Sequence, residues 1–151
     1  MPEEGMVDAL RLARRLLPPG GFVLDLHPTA SSVAVEVGGC VTGFVDLGDG
    51  LRRHAAAAHA LARSIATQLL TLERTLTFDF FTYGGSVDEL RDYIAENWRE
   101  ARIPDAVVER TRDAVRDAPR IKPRVREHVQ VTRLSSANLS RLMSADGSRR
   151  D

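Results

Sequence analysis

Residues 9–29, ALRLARRLLPPGGFVLDLHPT, carry the pattern that decides the fold. Apolar residues recur at helical spacing with arginines on the opposite side, which predicts a helix over residues 6–17. The Pro-Pro-Gly-Gly sequence at 18–21 ends this helix, and the apolar residues 22–26 follow as a buried strand. A helix, a tight turn and a buried strand form the closing part of a parallel α/β crossover, so an α/β fold is expected.

The rest of the chain alternates strand and helix patterns. Two β-rich runs separated by Gly38-Gly39 predict a hairpin, and Ser86 with Glu89 forms a capping box at the start of a helix. We therefore expect an α/β fold with a small mixed sheet covered by helices. The predicted strands lie near residues 22–26, 33–37, 41–46, 75–83 and 122–134, and the further helices near residues 51–73, 86–98 and 104–117.

The length of 151 residues predicts a single domain, placed at residues 1–134, with a Ser- and Arg-rich flexible tail at 135–151. The single cysteine, Cys40, excludes an intramolecular disulfide and a zinc site built from several cysteines. No apolar run is long enough for a bilayer, and the acidic N-terminus lacks the apolar core of a secretory signal. A cytoplasmic location without membrane association is expected.

The net charge is zero, yet residues 101–151 hold 12 basic and 7 acidic residues, an excess of five positive charges. In the predicted helix at 104–117, arginines alternate with acids at spacings of three and four. Such mixing is typical of a solvated helix face with internal ion pairs. Nucleic-acid binding is therefore not expected.

Three segments together resemble the C-terminal half of a class I S-adenosylmethionine-dependent methyltransferase. They are residues 9–29 quoted above, TFDFFTYGGSVDELRDYIAENW (77–98) and VREHVQVTRL (125–134). In that Rossmann-like family, a helix ending in a Pro-Gly-Gly turn leads into the fifth strand, and the seventh strand returns between the fifth and the sixth. The resemblance implies that the strand at 122–134 lies between those at 22–26 and 75–83, antiparallel to the latter.

The family's cofactor site belongs to its first half, which supplies a Gly-rich loop and an acidic residue for the ribose hydroxyls. The present sequence resembles a truncated form without that half, and it contains no G-x-G-x-x-G motif. Gly48-Asp49-Gly50 is the one G-x-G, and it follows a predicted hairpin rather than a buried parallel strand. We expect no cofactor-binding residues, with S-adenosylmethionine bound only if a partner chain supplies the site.

Asp25 and His27 lie at the carboxyl end of the first predicted strand, where open α/β sheets place their ligands. Both side chains point to the same side of the strand, so His27 is the candidate general base and Asp25 the residue that orients it. The alternative is a local structural role at the start of the loop. Candidate substrate-binding residues are Thr29, Arg53, His54 and Tyr83. No metal site is expected, because no two of the four histidines have the spacing of a zinc-binding helix.

These observations favour a methyltransferase-like module that acts by binding or association and is not an active methyltransferase on its own. One alternative is an accessory subunit that completes a methyltransferase in trans with a separate cofactor-binding chain. Another is an enzyme that acts on a small-molecule ligand, with Asp25 and His27 as acid and base.

Self-association is expected because the strand at 22–26 lacks the outer neighbour that the family's fourth strand provides. A second copy is predicted to cover this region, through an interface that includes residues from 6–26 or 33–47. The alternative is that the chain's own hairpin folds back over the strand edge.

Overall fold

The computed structural model describes residues 3–136, which form a five-stranded sheet and four helices. The elements follow in the order α1 (Glu3–Leu16), β1 (Phe22–Pro28), β2 (Ala34–Val37), β3 (Cys40–Phe44), α2 (Gly50–Ala66), β4 (Leu70–Tyr83), α3 (Val87–Asn97), α4 (Asp105–Asp117) and β5 (Pro123–Ser136). In this part of the chain, no helix is long and apolar enough to cross a membrane.

The strand β5 is the centre of the sheet. One of its edges pairs first with β2 and then with β1, and the other pairs with β4 along its whole length. The predicted position of this strand between β1 and β4 is therefore observed. The expectation of a mixed sheet is wrong for the described residues, where every pairing is antiparallel. The strands β1 and β4 run in the same direction, but they do not pair with each other, because β5 lies between them and is antiparallel to both.

Several helix and strand boundaries differ from those predicted. The helix expected to reach residue 73 ends at Ala66, because Thr67 caps it and Gln68 adopts a φ of 55°. The chain then enters β4 at Leu70, five residues before the predicted start. At the other end, Ser135 and Ser136 belong to β5 and pair with β1 and β4, so the strand takes the first two residues of the expected tail. The remainder of that tail, 137–151, lies outside the described residues.

The helices cover opposite faces of the sheet at opposite ends of β5. We call the face with the odd-numbered β5 side chains the odd face and the other the even face. On the odd face, α3 and α4 pack over the beginning of β5, where Val125 joins Val35, Leu90 and Ile94 in one core cluster. On the even face, α1 and α2 pack over the end of β5, where Leu134 is fully buried in a second cluster.

Local contacts explain two features of the second half. The Ser86 hydroxyl accepts a hydrogen bond from the Glu89 amide at 3.1 Å, as the capping box predicts, while the Glu89 carboxylate accepts from the Gly85 amide at 2.9 Å. The helix α4 lies against β3 at Gly43, where a Cβ would stand 2.5 Å from Cγ2 of Val107. Only glycine permits this approach of helix and strand.

The β2–β3 hairpin does not cover the edge of β1. Instead β2 pairs with residues 123–126 of β5, further along the edge that β1 occupies. The outer edges of β1 and β4 therefore have no strand partner within residues 3–136. The alternative in which the hairpin folds over that edge is wrong, because the hairpin's hydrogen bonds go to β5.

Candidate functional site

A large apolar surface covers the end of the odd face that the helices leave open. We call it the apolar face, and its members are between 44% and 63% exposed. They are Phe22, Leu24 and Leu26 of β1 and Leu76, Phe78 and Phe80 of β4.

The strand register places these six side chains together. Leu26 and Leu76 both pair with Val131 of β5, and Phe78 pairs with Val129 on the same face. Paired residues of antiparallel strands point to the same side, so the apolar face is continuous across three strands. Soluble monomers rarely expose a contiguous apolar patch of this kind, and such patches mark interaction sites.

Two arginines lie directly opposite each other at one end of the apolar face. Arg74 of β4 and Arg133 of β5 are register partners. The Arg133 guanidinium stands 4.2 Å from the centre of the Phe22 ring and donates to the Glu73 carboxylate at 2.7 Å. The apolar face therefore has a cationic border.

The predicted acid–base residues meet in the structure. Nδ1 of His27 lies 2.6 Å from Oδ2 of Asp25, and both side chains are largely buried on the even face. Because a carboxylate only accepts, Nδ1 carries the proton and Asp25 fixes the orientation of the ring. The geometry is that of an oriented histidine; its catalytic role remains a prediction.

A cleft of about 320 Å³ opens at a break in the sheet, and neither Asp25 nor His27 is among its lining residues. Along this edge of β5, the strand β2 pairs with residues up to Arg126, and β1 pairs with residues from Val129 onward. Glu127 and His128 lie between these two paired segments. The cleft lies at this break. Its lining includes Pro28, Arg53, His54, Trp98, Ala101 and Glu127.

The structure brings the predicted Arg53 and His54 together in this cleft. Arg53 donates to Oε2 of Glu100 at 2.7 Å and to the backbone carbonyl of Arg99 at 3.2 Å, and this contact lowers the pKa of Glu100. Burial lowers the pKa of His54, and the nearby charges of Arg53 and His27 lower it further. The surroundings of His54 therefore favour the uncharged imidazole.

The two other predicted binding residues do not line the cleft. The Thr29 hydroxyl is 2.6 Å from the Ser31 hydroxyl, although the Thr29 backbone interacts with His54. Tyr83 pairs with Arg124 near the beginning of β5, and Arg124 donates to its hydroxyl at 3.3 Å. Its register position places it on the even face, three residues along β5 from Glu127, which lies on the odd face.

Sequence reasoning missed two carboxylates, one on the even face and one in the cleft. Glu36 is only 2% exposed, and it accepts hydrogen bonds from Arg124 and Arg126 across the β2–β5 pair. Glu127 has no hydrogen-bond or ion-pair partner for its carboxylate among the described residues, and burial raises its pKa. A charged residue at an inward position of an apolar strand was the available signal for Glu36.

The one G-x-G segment of the described residues does not have the surroundings of the family's Gly-rich loop. The segment Gly48–Gly50 joins the hairpin to α2, and the Gly50 amide donates to the carbonyl of Leu47 instead of facing a ligand. No buried parallel strand precedes it in the sheet. Within residues 3–136 there is also no group of three or more His, Cys, Asp or Glu side chains that could hold a metal ion.

Comparison with known proteins adds no relative to this description. The chain matches no protein-family model, no curated protein and no solved structure. The methyltransferase relation is therefore still a prediction, based on the sequence segments and on the order of three strands.

Proposed function

We propose that the protein is a binding module that associates with a second copy of itself through the apolar face. The observation that carries this proposal is the row formed by Leu26, Val131 and Leu76, which extends across three strands without a covering helix. Burying such a surface is the dominant favourable term in protein association.

The size of the apolar face suits a dimer. Its three phenylalanines and three leucines are about half exposed and together offer roughly 500 Å², if an aromatic side chain has about 150–250 Å² to bury and a leucine somewhat less. Together with the bordering residues, this approaches the roughly 800 Å² per partner of a stable interface. Two sheets can pack face to face in this way, as they do in β-sandwiches.

Two-fold symmetry also gives the arginine pair a partner. An axis that runs along the row of Leu26, Val131 and Leu76, between the two facing sheets, sets Arg74 of one copy over Phe78 of the other. Arg133 then lies over Val129, the register partner of Phe78. A guanidinium over an aromatic ring is a favourable contact, and Arg133 already makes one with Phe22. The same patch thus serves both copies, as a two-fold interface requires.

Sedimentation equilibrium at several micromolar concentrations tests this proposal. We expect a mass near twice the chain's 16.6 kDa, falling toward the single-chain mass on dilution. The variant Leu76→Glu should sediment as a monomer with unchanged secondary structure. The control Leu16→Glu, on an exposed position of α1, should behave as the wild type. A wild-type chain that is monomeric at all concentrations would contradict the proposal.

A second candidate function is that of an accessory subunit that completes an S-adenosylmethionine-dependent methyltransferase in trans. Two observations support it: β5 lies between β1 and β4, as the resemblance implies, and the outer edge of β1 has no strand partner among the described residues. Calorimetry with S-adenosylmethionine tests the isolated chain. No binding is expected, and micromolar binding would show that the chain has its own cofactor site.

A further inference from the structure

The cleft at the break between β1 and β2 contains a carboxylate with no partner among the described residues. Glu127 is half-buried on β5, and no arginine, amide or hydroxyl within residues 3–136 donates to its side chain. Buried carboxylates in proteins are normally paired, because an isolated charge loses its hydration without compensation. A donor from outside the chain would satisfy Glu127.

The second unpartnered acceptor of the cleft is Nδ1 of His54. This atom is buried and has no hydrogen-bond partner in the structure. A neutral imidazole carries its proton on only one nitrogen, here taken as Nε2. Nδ1 of the neutral ring then has a free lone pair, so it is a second hydrogen-bond acceptor.

The arginines of the cleft do not neutralise Glu127. Arg53 donates to Glu100, and Nε of Arg99 lies 3.6 Å from the other oxygen of the same carboxylate. The two cations therefore share Glu100. The Glu127 carboxylate has no side-chain partner among the described residues, so a cationic ligand can pair with it.

Part of the remaining wall is apolar, and Asn97 adds a polar side chain to it. Leu47 and Ala101 are buried, and the half-buried Trp98 presents its indole beside them. An indole ring binds apolar groups and also attracts cations to its face.

We propose that this cleft binds a small organic ammonium ion, whose amine donates to Glu127 and His54 and whose apolar body packs on Trp98. Two acceptors and an aromatic wall match an ammonium group with an attached hydrocarbon. Glu127 is the register partner of Phe80, so the cleft borders the apolar face. Ligand binding in the cleft does not require the association through the apolar face.

Trp98 makes the proposal directly measurable, since it is the only tryptophan of the 151 residues. The probe is benzylammonium, titrated to about 10 mM so that even millimolar binding is detected. We expect a saturable shift of the single indole N–H signal in ¹H–¹⁵N spectra. Benzyl alcohol and benzoate, which match its shape without its positive charge, should bind at least about tenfold more weakly.

Matched variants locate the binding to the carboxylate. Glu127→Gln keeps the shape and removes the charge, so it should weaken benzylammonium about tenfold or more. The control Glu96→Gln alters an exposed carboxylate of α3 outside the cleft and should bind as the wild type does. The proposal is overturned if no saturable shift occurs, if benzoate binds as well as benzylammonium, or if Glu127→Gln retains full affinity.

Discussion

Leu26 of β1 and Leu76 of β4 are paired with the same residue of β5, Val131, and form one apolar row across the sheet. Both leucines are about half exposed or more, although core side chains of this size are normally covered. Their exposure follows from the staggered helices, which cover the odd face at one end of β5 and the even face at the other.

The first prediction concerns thermal unfolding of the associated protein. Because only the folded chain forms the interface, the midpoint of unfolding should rise with protein concentration. In Leu26→Lys, this dependence should disappear. Association would bury the lysine ammonium in the interface without an opposite charge, which is unfavourable. Leu16→Lys, outside the apolar face, should keep the wild-type dependence. Calorimetric scans over a hundredfold concentration range measure it.

The second prediction concerns the core on the even face. Leu134 is fully buried under α2, so Leu134→Ala should lower the free energy of unfolding by about 3 kcal/mol through lost burial and a residual cavity. Urea denaturation at matched protein concentration measures this loss. Leu12→Ala removes the same atoms from an exposed position of α1 and should cost about 0.5 kcal/mol or less. Equal effects of the two variants would contradict the assigned core.

The third prediction concerns Gly43, where β3 and α4 meet. In Gly43→Ala, the new Cβ would press on both methyl groups of Val107, so the helix must move away. We expect a destabilisation of about 1–3 kcal/mol, the usual cost of overpacking. The double variant Gly43→Ala with Val107→Ala should recover part of it. If Gly43→Ala alone is neutral in urea denaturation, α4 does not pack as described.

The fourth prediction concerns Glu36, the buried carboxylate between Arg124 and Arg126. Glu36→Gln keeps the shape but loses the charge that both guanidinium groups bind. The free energy of unfolding should fall by about 2 kcal/mol, the scale of a hydrogen bond to a charged group. Glu109→Gln, which weakens an exposed pair with Arg112, should change it by less than about 0.5 kcal/mol.

The fifth prediction concerns pH. The pKa of His54 is lowered in the folded state, first by burial and then by the charges of Arg53 and His27. The unfolded chain therefore binds the proton more readily, and stability should fall as the pH drops below about 6.5 toward the lowered pKa. His54→Gln should remove this part of the pH slope in urea denaturation, whereas His59→Gln, exposed on α2, should keep it. An unchanged slope in His54→Gln would show that His54 does not titrate as described.

Local patterns predicted the parts of the fold that depend on neighbouring residues. The turn at 18–21 and the cap at Ser86 are set by backbone chemistry within a few residues, and both occur as expected. The predicted end of α2, at residue 73, was wrong because Leu69 and Leu72 continue the apolar stripe of the helix. The chain leaves the helix there because Leu70 packs against Leu134, which lies 64 residues later in the sequence.

The residues of the candidate sites also fall into two groups, those that local patterns predict and those whose positions depend on long-range strand pairing. Asp25 and His27 were predicted to be neighbours from strand alternation alone, and Arg53 and His54 are adjacent in the chain. The position of Glu127 depends on how far β1 and β2 each pair along β5, which no local pattern contains. The apolar face was missed as a unit. Residues 22–26 were predicted to form a buried strand, which is wrong for the exposed Phe22, Leu24 and Leu26, because no helix covers this end of the odd face. The β4 residues belong to a segment that reads as an ordinary half-buried strand.

Half-labelled NMR tests the central claim most directly. In a sample that mixes ¹³C-labelled and unlabelled protein, filtered spectra record only contacts between different copies. We predict nuclear Overhauser effects from the methyl groups of Leu26 and Leu76 in one copy to phenylalanine rings of the apolar face in the other. Contacts between copies that involve only α1 or β3, or no contacts at millimolar concentration, would contradict the account.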